Sequence, residues 1–207
     1  MQVTEIVEWT KSRSKVYIDQ EFAFVLYKGE LPIYGVVCGE ELSIEHHRQI
    51  MEEVLPKRAK LRAMNLLMKR TYTSSQLRRK LEEGYYPPAV IEAALEYVAS
   101  FHYTDDLQYA LDYITYHEGS HGRRRMELDL LRRGISAELF EKAWALWEDR
   151  GGIQDECAMI QVLLRKKGYE PEGADRMQRS KMYQFLLRKG FSSEEITKAL
   201  RIYSEDA

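Results

Sequence analysis

Long apolar runs are missing from this sequence. No stretch approaches the roughly 20 apolar residues that a membrane helix requires, which excludes a helical membrane span. Glycine and proline are scarce, 12 and 5 among 207 residues, and this excludes collagen-like and low-complexity chains. Only two cysteines occur, Cys38 and Cys157, far apart in the chain and read as inert. The N-terminal MQVTEIVEW has neither the basic nor the apolar region of a secretory leader, so a reducing cytoplasm is the expected compartment. The G-x-x-x-x-G-K-[ST], G-x-G-x-x-G and G-x-S-x-G signatures are also absent. Nucleotide cradling and serine-hydrolase chemistry thus lack their usual marks, and neither a cofactor nor a catalytic residue is expected.

What is present divides the chain in two. Up to about residue 45, apolar and polar residues alternate and β-branched and aromatic residues are common, the pattern of strands. Val16–Asp19 and Phe22–Tyr27 read as strands, Lys28-Gly29-Glu30 as a turn, and Tyr34–Val37 as a further strand. Two or three antiparallel strands are marginal alone and must pack on something else. After Ser43 the period becomes 3.6 residues and persists to Tyr203, so the remainder is read as helices joined by short connections.

The helical part repeats internally. Leu77–Tyr85, Glu127–Ile135 and Tyr183–Phe191 share one shape: a leucine three residues before a glycine, and an apolar or aromatic residue after it. Such a segment is a helix ended by glycine in a left-handed conformation, with the next apolar residue folded back on the last turn. Ser136 and Ser192 suit the N-caps of the helices that follow, Ser192 with Glu195 as a capping box, and Pro87 and Pro88 suit a first turn. The apolar pairs Val90 and Ala94, Phe140 and Trp144, and Ile196 and Leu200 recur at matching places. A further helix precedes each pair, at Arg58–Lys69, Asp105–Tyr116 and Gln154–Lys166, the second with Thr104 as its N-cap. The expected architecture is mainly α, with three tandem three-helix repeats in an elongated, curved body and a small N-terminal β element. The expected boundaries are 1–50 for the β-rich extension and 51–104, 105–151 and 152–207 for the repeats.

The formal charge is only -2, but charge is segregated along the chain. Residues 57 to 81 hold nine bases (Lys57, Arg58, Lys60, Arg62, Lys69, Arg70, Arg78, Arg79, Lys80) and no acid, whereas residues 82 to 116 hold seven acids and neither lysine nor arginine. Further bases cluster at Arg123-Arg124-Arg125 and Arg165-Lys166-Lys167. Charge runs on helices are ordinarily solvated faces paired with acids one turn away. The 57–81 run has no such acids, so its repulsion must be met by another segment, a counter-ion or a polyanionic partner. The candidate partner-binding residues are Arg58, Arg62, Lys69, Arg70, Arg78, Arg79, Arg123, Arg124, Arg125, Lys166 and Lys167, facing an acidic protein groove or DNA without sequence specificity.

His117-Glu118-Gly119-Ser120-His121 matches the H-E-x-x-H pattern of zinc proteases. Gly119 and Gly122 oppose a continuous helix there, and the repeat places a connection at this point, so the match is read as accidental and no metal is expected. His46 and His47 read as exposed residues near a helix start, and His102 as partly buried. Tyr85, Tyr86, Tyr103, Tyr109, Tyr113 and Tyr116 are read as packing residues rather than base-stacking platforms, and Trp144 and Trp147 as core.

Phe101 to Ala110, FHYTDDLQYA, resembles the signature of the bacterial RecX regulatory family, and the likeness spans nearly the whole chain. Arg62–Leu67 with Ser74–Leu77 and Lys80-Leu81 resembles the first repeat, Gly122 through Ser136 the second, and Lys181–Leu186 through Ser192 the third. Tyr17–Asp19 and Glu21–Ala23 are similar to the N-terminal part of longer members. The order and spacing of these segments together are specific. The resemblance implies tandem three-helix repeats that lodge in the groove of a RecA filament on DNA and modulate, commonly inhibit, that recombinase. It supplies the partner's identity; the residues alone give a helical repeat with basic clusters.

Overall fold

In the computed structural model of the chain, residues 1–171 and 173–200 are described here. Tyr203 and the acidic pair Glu205 and Asp206 lie outside them. The chain forms two compact units, Met1–Asp105 and Asp106–Ala207.

Unit 1 begins with an antiparallel sheet of β1 (Val3–Thr10), β2 (Arg13–Ile18) and β3 (Glu21–Tyr27), in that order. Its third strand is β1, not the expected Tyr34–Val37. In that segment the Tyr34 N–H donates to the Glu30 carbonyl and the Val36 N–H to that of Leu31, turns that Gly35 completes at φ 63. The β2–β3 connection is Asp19-Gln20, both residues at positive φ, 50 and 73, as the twist of a two-residue hairpin loop requires. Asp19 is held there by its Oδ1, which accepts the Gln2 N–H at 3.0 Å.

The helices begin just after Ser43, where the 3.6-residue period sets in, with two elements ahead of the helix expected from Arg58. Ser43 caps α1 (Ile44–Gln49), a π-helical turn follows at Ile50–Val54, and α2 runs Leu55–Leu67. Pro56 accounts for the widened turn, because it has no N–H for the carbonyl one turn back and its ring crowds that carbonyl. A capping box of Thr73 and Gln76 starts α3 (Ser74–Glu82), and Pro88 opens α4 (Pro88–Ser100). Val3, Val16, Phe24 and Leu26 of the sheet share one core with Leu55, Ala59, Ala63, Leu77, Leu81 and Val90 of the helices. The sheet thus finds in the first helical repeat the support it lacks alone.

Unit 2 holds α5 (Asp106–His117), α6 (Arg123–Arg132) and α7 (Ala137–Asp149) around Ile114, Met126, Leu130, Phe140 and Trp144. It also holds α8 (Glu156–Lys166), α9 (Arg176–Arg188) and α10 (Ser193–Ala199) around Ile160, Leu164, Leu186, Phe191 and Ile196. Helix α5 starts two residues after Thr104.

The repeat is present in a shifted register. Gly134 and Gly190 take φ 87 as expected, but in the first copy Gly84 does not; Tyr85 is the left-handed residue, at φ 59. The amide after it closes the turn in every copy: Tyr86 donates to Leu81, Ile135 to Leu130 and Phe191 to Leu186. Leu81, Leu130 and Leu186 are therefore the equivalent buried residues, while Leu131 and Leu187, three before their glycines, are 54% and 39% exposed. The reason is geometric: the left-handed residue, not the glycine as such, ends each helix, and only the leucine four before it faces the core.

Other packing expectations divide. Trp144 and Trp147 are buried, both 4% exposed. Tyr85, Tyr103 and Tyr116 are exposed rather than core, and His102 is exposed, with a left-handed backbone at φ 55. Ser192 Oγ accepts the Glu195 N–H, but the other half of the expected box comes from elsewhere: Glu156 of α8 accepts the Ser192 N–H at 3.0 Å. Glu195 is held instead by Lys198 at 3.0 Å.

Candidate partner-binding surfaces

In unit 1, Arg58 points into the fold rather than outward. Its guanidinium donates to both carboxylate oxygens of Glu30 at 2.6 Å and to the Val25 carbonyl at 3.2 Å, and lies 4.7 Å from the Tyr27 ring centre. The bridge is mostly buried, with side chains 16% and 25% exposed. The Tyr27 N–H donates to the same Glu30, so one carboxylate ends β3 and ties it to α2. Arg78 pairs with Glu92 of α4, and Lys80 with Glu83, the C-cap of its own helix. The acid-free run is thereby partly neutralised. Arg62, Lys69 and Arg79 are exposed with no carboxylate partner among the described residues, and Arg70 lies over Tyr72 at 4.4 Å.

Arg58 and Arg62 come together with two bases that sequence reasoning did not select, Arg13 and Lys57, on a groove of about 650 Å3 between sheet and helices. Lys57 was visible in the basic run. Arg13 sits on a strand far away in sequence, and nothing local marks it. Tyr86 also lines this groove; burial raises its hydroxyl pKa, against the pull of Arg58, Arg13 and Arg62.

In unit 2 the arginine triplet splits. Arg123 donates to Glu141 at 2.6 Å and lies 4.8 Å from the Trp144 ring centre. Arg125 donates to Asp129 at 2.7 Å. Asp129 also accepts Tyr113 and Arg132, and burial together with this carboxylate raises the Tyr113 pKa to about 12. Arg124 alone is exposed with no ion pair among the described residues, on a groove of about 810 Å3 shared with Leu128, Leu187 and Arg188. Lys166 closes α8 and Lys167 caps it, the end where a cation offsets the helix dipole. Lys166 carries no ion pair among the described residues; Lys167 lies 5.2 Å from the Phe185 ring centre.

The H-E-x-x-H residues are otherwise employed. Helix α5 stops at His117, Glu118 accepts the Trp147 indole N–H at 2.7 Å, and His121 Nδ1 is 2.8 Å from Ser120 Oγ. Burial and Lys189 lower the His121 pKa to about 4, and burial and Arg133 lower that of His117. Neighbouring cations oppose a metal ion as they oppose a proton. Among the described residues no group of three or more metal-ligating side chains occurs, and no helix is long and apolar enough to cross a membrane.

These features define a helical-repeat protein with exposed bases and a docked N-terminal sheet. Residues 59–97 match the first three-helix domain of RecX, and residues 154–200 match the third. Regulatory protein RecX of Clostridium acetobutylicum is 28% identical over 95% of this chain and 92% of its own length. That of Vibrio parahaemolyticus is 30% identical over 70% of this chain and 90% of its own. A crystal structure of a regulatory protein RecX shares the fold, with TM-score 0.58 and 21% identity over 98% of this chain and 99% of that one. The chain belongs to the RecX family of regulatory proteins.

Proposed function

We propose that the chain binds the RecA recombinase filament on DNA and modulates, chiefly by inhibition, its recombination and ATPase activities. The reading rests on family membership. The observation that carries it to particular residues is the set of exposed bases without carboxylate partners among the described residues: Arg62, Lys69, Arg79, Arg124 and Lys166. Such charges are free to meet phosphates or an acidic protein groove. Arg58 and Arg78 in unit 1, and Arg123 and Arg125 in unit 2, are paired with acids and serve chiefly to hold their own unit together. The division into a 1–50 extension and repeats 51–104, 105–151 and 152–207, the cytoplasmic setting and the absence of catalysis belong to the same reading.

The test is DNA-dependent ATP hydrolysis by a RecA filament with the purified chain added, beside binding to DNA alone over a salt series. Suppression at concentrations where DNA alone stays unbound is the expected result. No effect on the filament, with tight and salt-sensitive DNA binding, would replace the reading with its alternative, a nucleic-acid-binding helical module without sequence specificity.

A further inference from the structure

The groove between sheet and helices in unit 1 has more positive charge than its own acids can answer. Arg13, Lys57, Arg58 and Arg62 line it, against only Glu30 and Glu53. Arg58 already occupies both oxygens of Glu30. Arg13 and Arg58 lie 4.8 and 4.7 Å from the centre of the same Tyr27 ring, and both line the groove. Arg13 uses one nitrogen on the Tyr27 hydroxyl, at 2.9 Å, and pairs with no carboxylate among the described residues. Lys57 and Arg62, one helical turn and a residue apart on α2, are exposed and likewise without an acid among the described residues. Tyr86, Asn65 and Gln49, side chains that carry neutral donors, also line the groove.

We infer that this groove is an oxyanion site for the phosphate of a nucleotide, either within a nucleic-acid strand or free. A phosphate offers several acceptor oxygens to planar guanidinium donors, which bind it in pairs. A phosphate also brings the negative charge that Glu30 and Glu53 do not supply. The volume, about 650 Å3, is that of an ordinary small-molecule site and leaves room for more than a bare ion. The site is composite: Arg13 comes from β2, while Lys57, Arg58 and Arg62 come from α2, so it exists only where the N-terminal sheet is docked. It does not depend on which protein partner the chain has.

The experiment uses the full chain and a fluorescein-labelled single-stranded oligothymidylate, read by anisotropy over a salt series. The double variant Lys57→Gln with Arg62→Gln alters two exposed side chains of the groove; Lys11→Gln with Arg150→Gln removes the same charge at two exposed bases outside every proposed surface. The groove variant is expected to weaken binding at least tenfold and to flatten the slope of log K against log salt by about 1.4, at about 0.7 for each phosphate no longer neutralised. The other variant should stay within a few-fold of the native chain. Competition by millimolar ATP beyond that of inorganic phosphate at equal ionic strength, lost in the groove variant, would identify the free nucleotide as a ligand; binding of the strand without such competition would identify the strand. Equal weakening in both variants, no binding of either probe at low salt, or polyglutamate bound by the groove as tightly as the strand would overturn the proposal.

Discussion

Gly122 and Gly190 meet so closely that neither has room for a side chain. A β-carbon on Gly122 would lie 2.3 Å from the Gly190 carbonyl oxygen, and one on Gly190 would lie 2.5 Å from the Arg125 amide nitrogen. Through this contact the start of α6 rests on the end of α9, and the Gly122 N–H donates to the Lys189 carbonyl at 2.9 Å. Gly190→Ala combines a backbone clash with a left-handed φ of 87 and should cost more than about 2 kcal/mol. Gly119→Ala, with open space around it, should be nearly neutral. Urea unfolding of the two variants checks this; equal midpoints would show that the contact is slack.

Removing Glu30 should loosen the sheet from the helices. Glu30→Ala leaves Arg58 mostly buried without its carboxylate and should cost about 2 to 3 kcal/mol. Arg58→Lys should recover only part of the native stability, since an ammonium cannot serve both Glu30 oxygens and the Val25 carbonyl with one planar fork. Denaturation midpoints, with the near-ultraviolet signal of Tyr27 and Tyr86, follow the loss.

Reversing charge across the whole arginine triplet mixes two effects. Arg123→Glu and Arg125→Glu would each set like charges together, at Glu141 and Asp129, and both should lower the melting temperature. Arg124→Glu should leave it unchanged and still weaken filament binding. A melting curve and a filament-binding titration on the three single variants separate folding from contact; unchanged binding by Arg124→Glu would remove that residue from the proposed surface.

Acid should weaken unit 2 before its carboxylates titrate. His121 is held neutral in the fold, its pKa lowered to about 4 from an ordinary value of 6.5 by burial and Lys189. The unfolded chain then binds more protons between these values, so stability is full above about pH 6.5 and falls as pH drops toward 4. Because the ring is partly exposed and screened, the loss is put at about 1 kcal/mol. Replacing His121 by Asn should flatten the stability profile between pH 6.5 and 4; an unchanged slope would assign it to other groups.

The helices were legible because their signals are local. Ser136 and Ser192 cap as their positions suggest, Gly134 and Gly190 end helices in the left-handed region, and Phe140, Trp144, Ile196 and Leu200 are buried where the repeat puts them. Each of these depends on residues within about one turn. The shifted first copy was not legible, because Tyr85 takes a conformation that glycine usually fills. Its ring lies against Trp9 and Phe22, 5.0 and 5.7 Å between centres, with Lys15 3.7 Å above it, contacts from strands far away in sequence.

The candidate surface divides in the same way. The basic run, its want of acids and the arginine triplet are properties of the sequence alone. Which bases remain outward was settled by packing: Glu30 reaches Arg58 across 28 positions, Glu141 reaches Arg123 across 18, and Arg62 and Arg124 meet no carboxylate among the described residues. The start of α6 shows the limit most plainly. Its N-cap, Gly122, has no side chain to offer, and the N–H groups of Gly122 and Arg123 are satisfied by the Lys189 carbonyl and the Gln154 amide oxygen from other segments. Local sequence determined that a helix forms there and where it stops, because propensity and capping act within a turn. Only the tertiary structure decided what satisfies its beginning, because those partners are brought near by the burial of apolar side chains elsewhere in the chain.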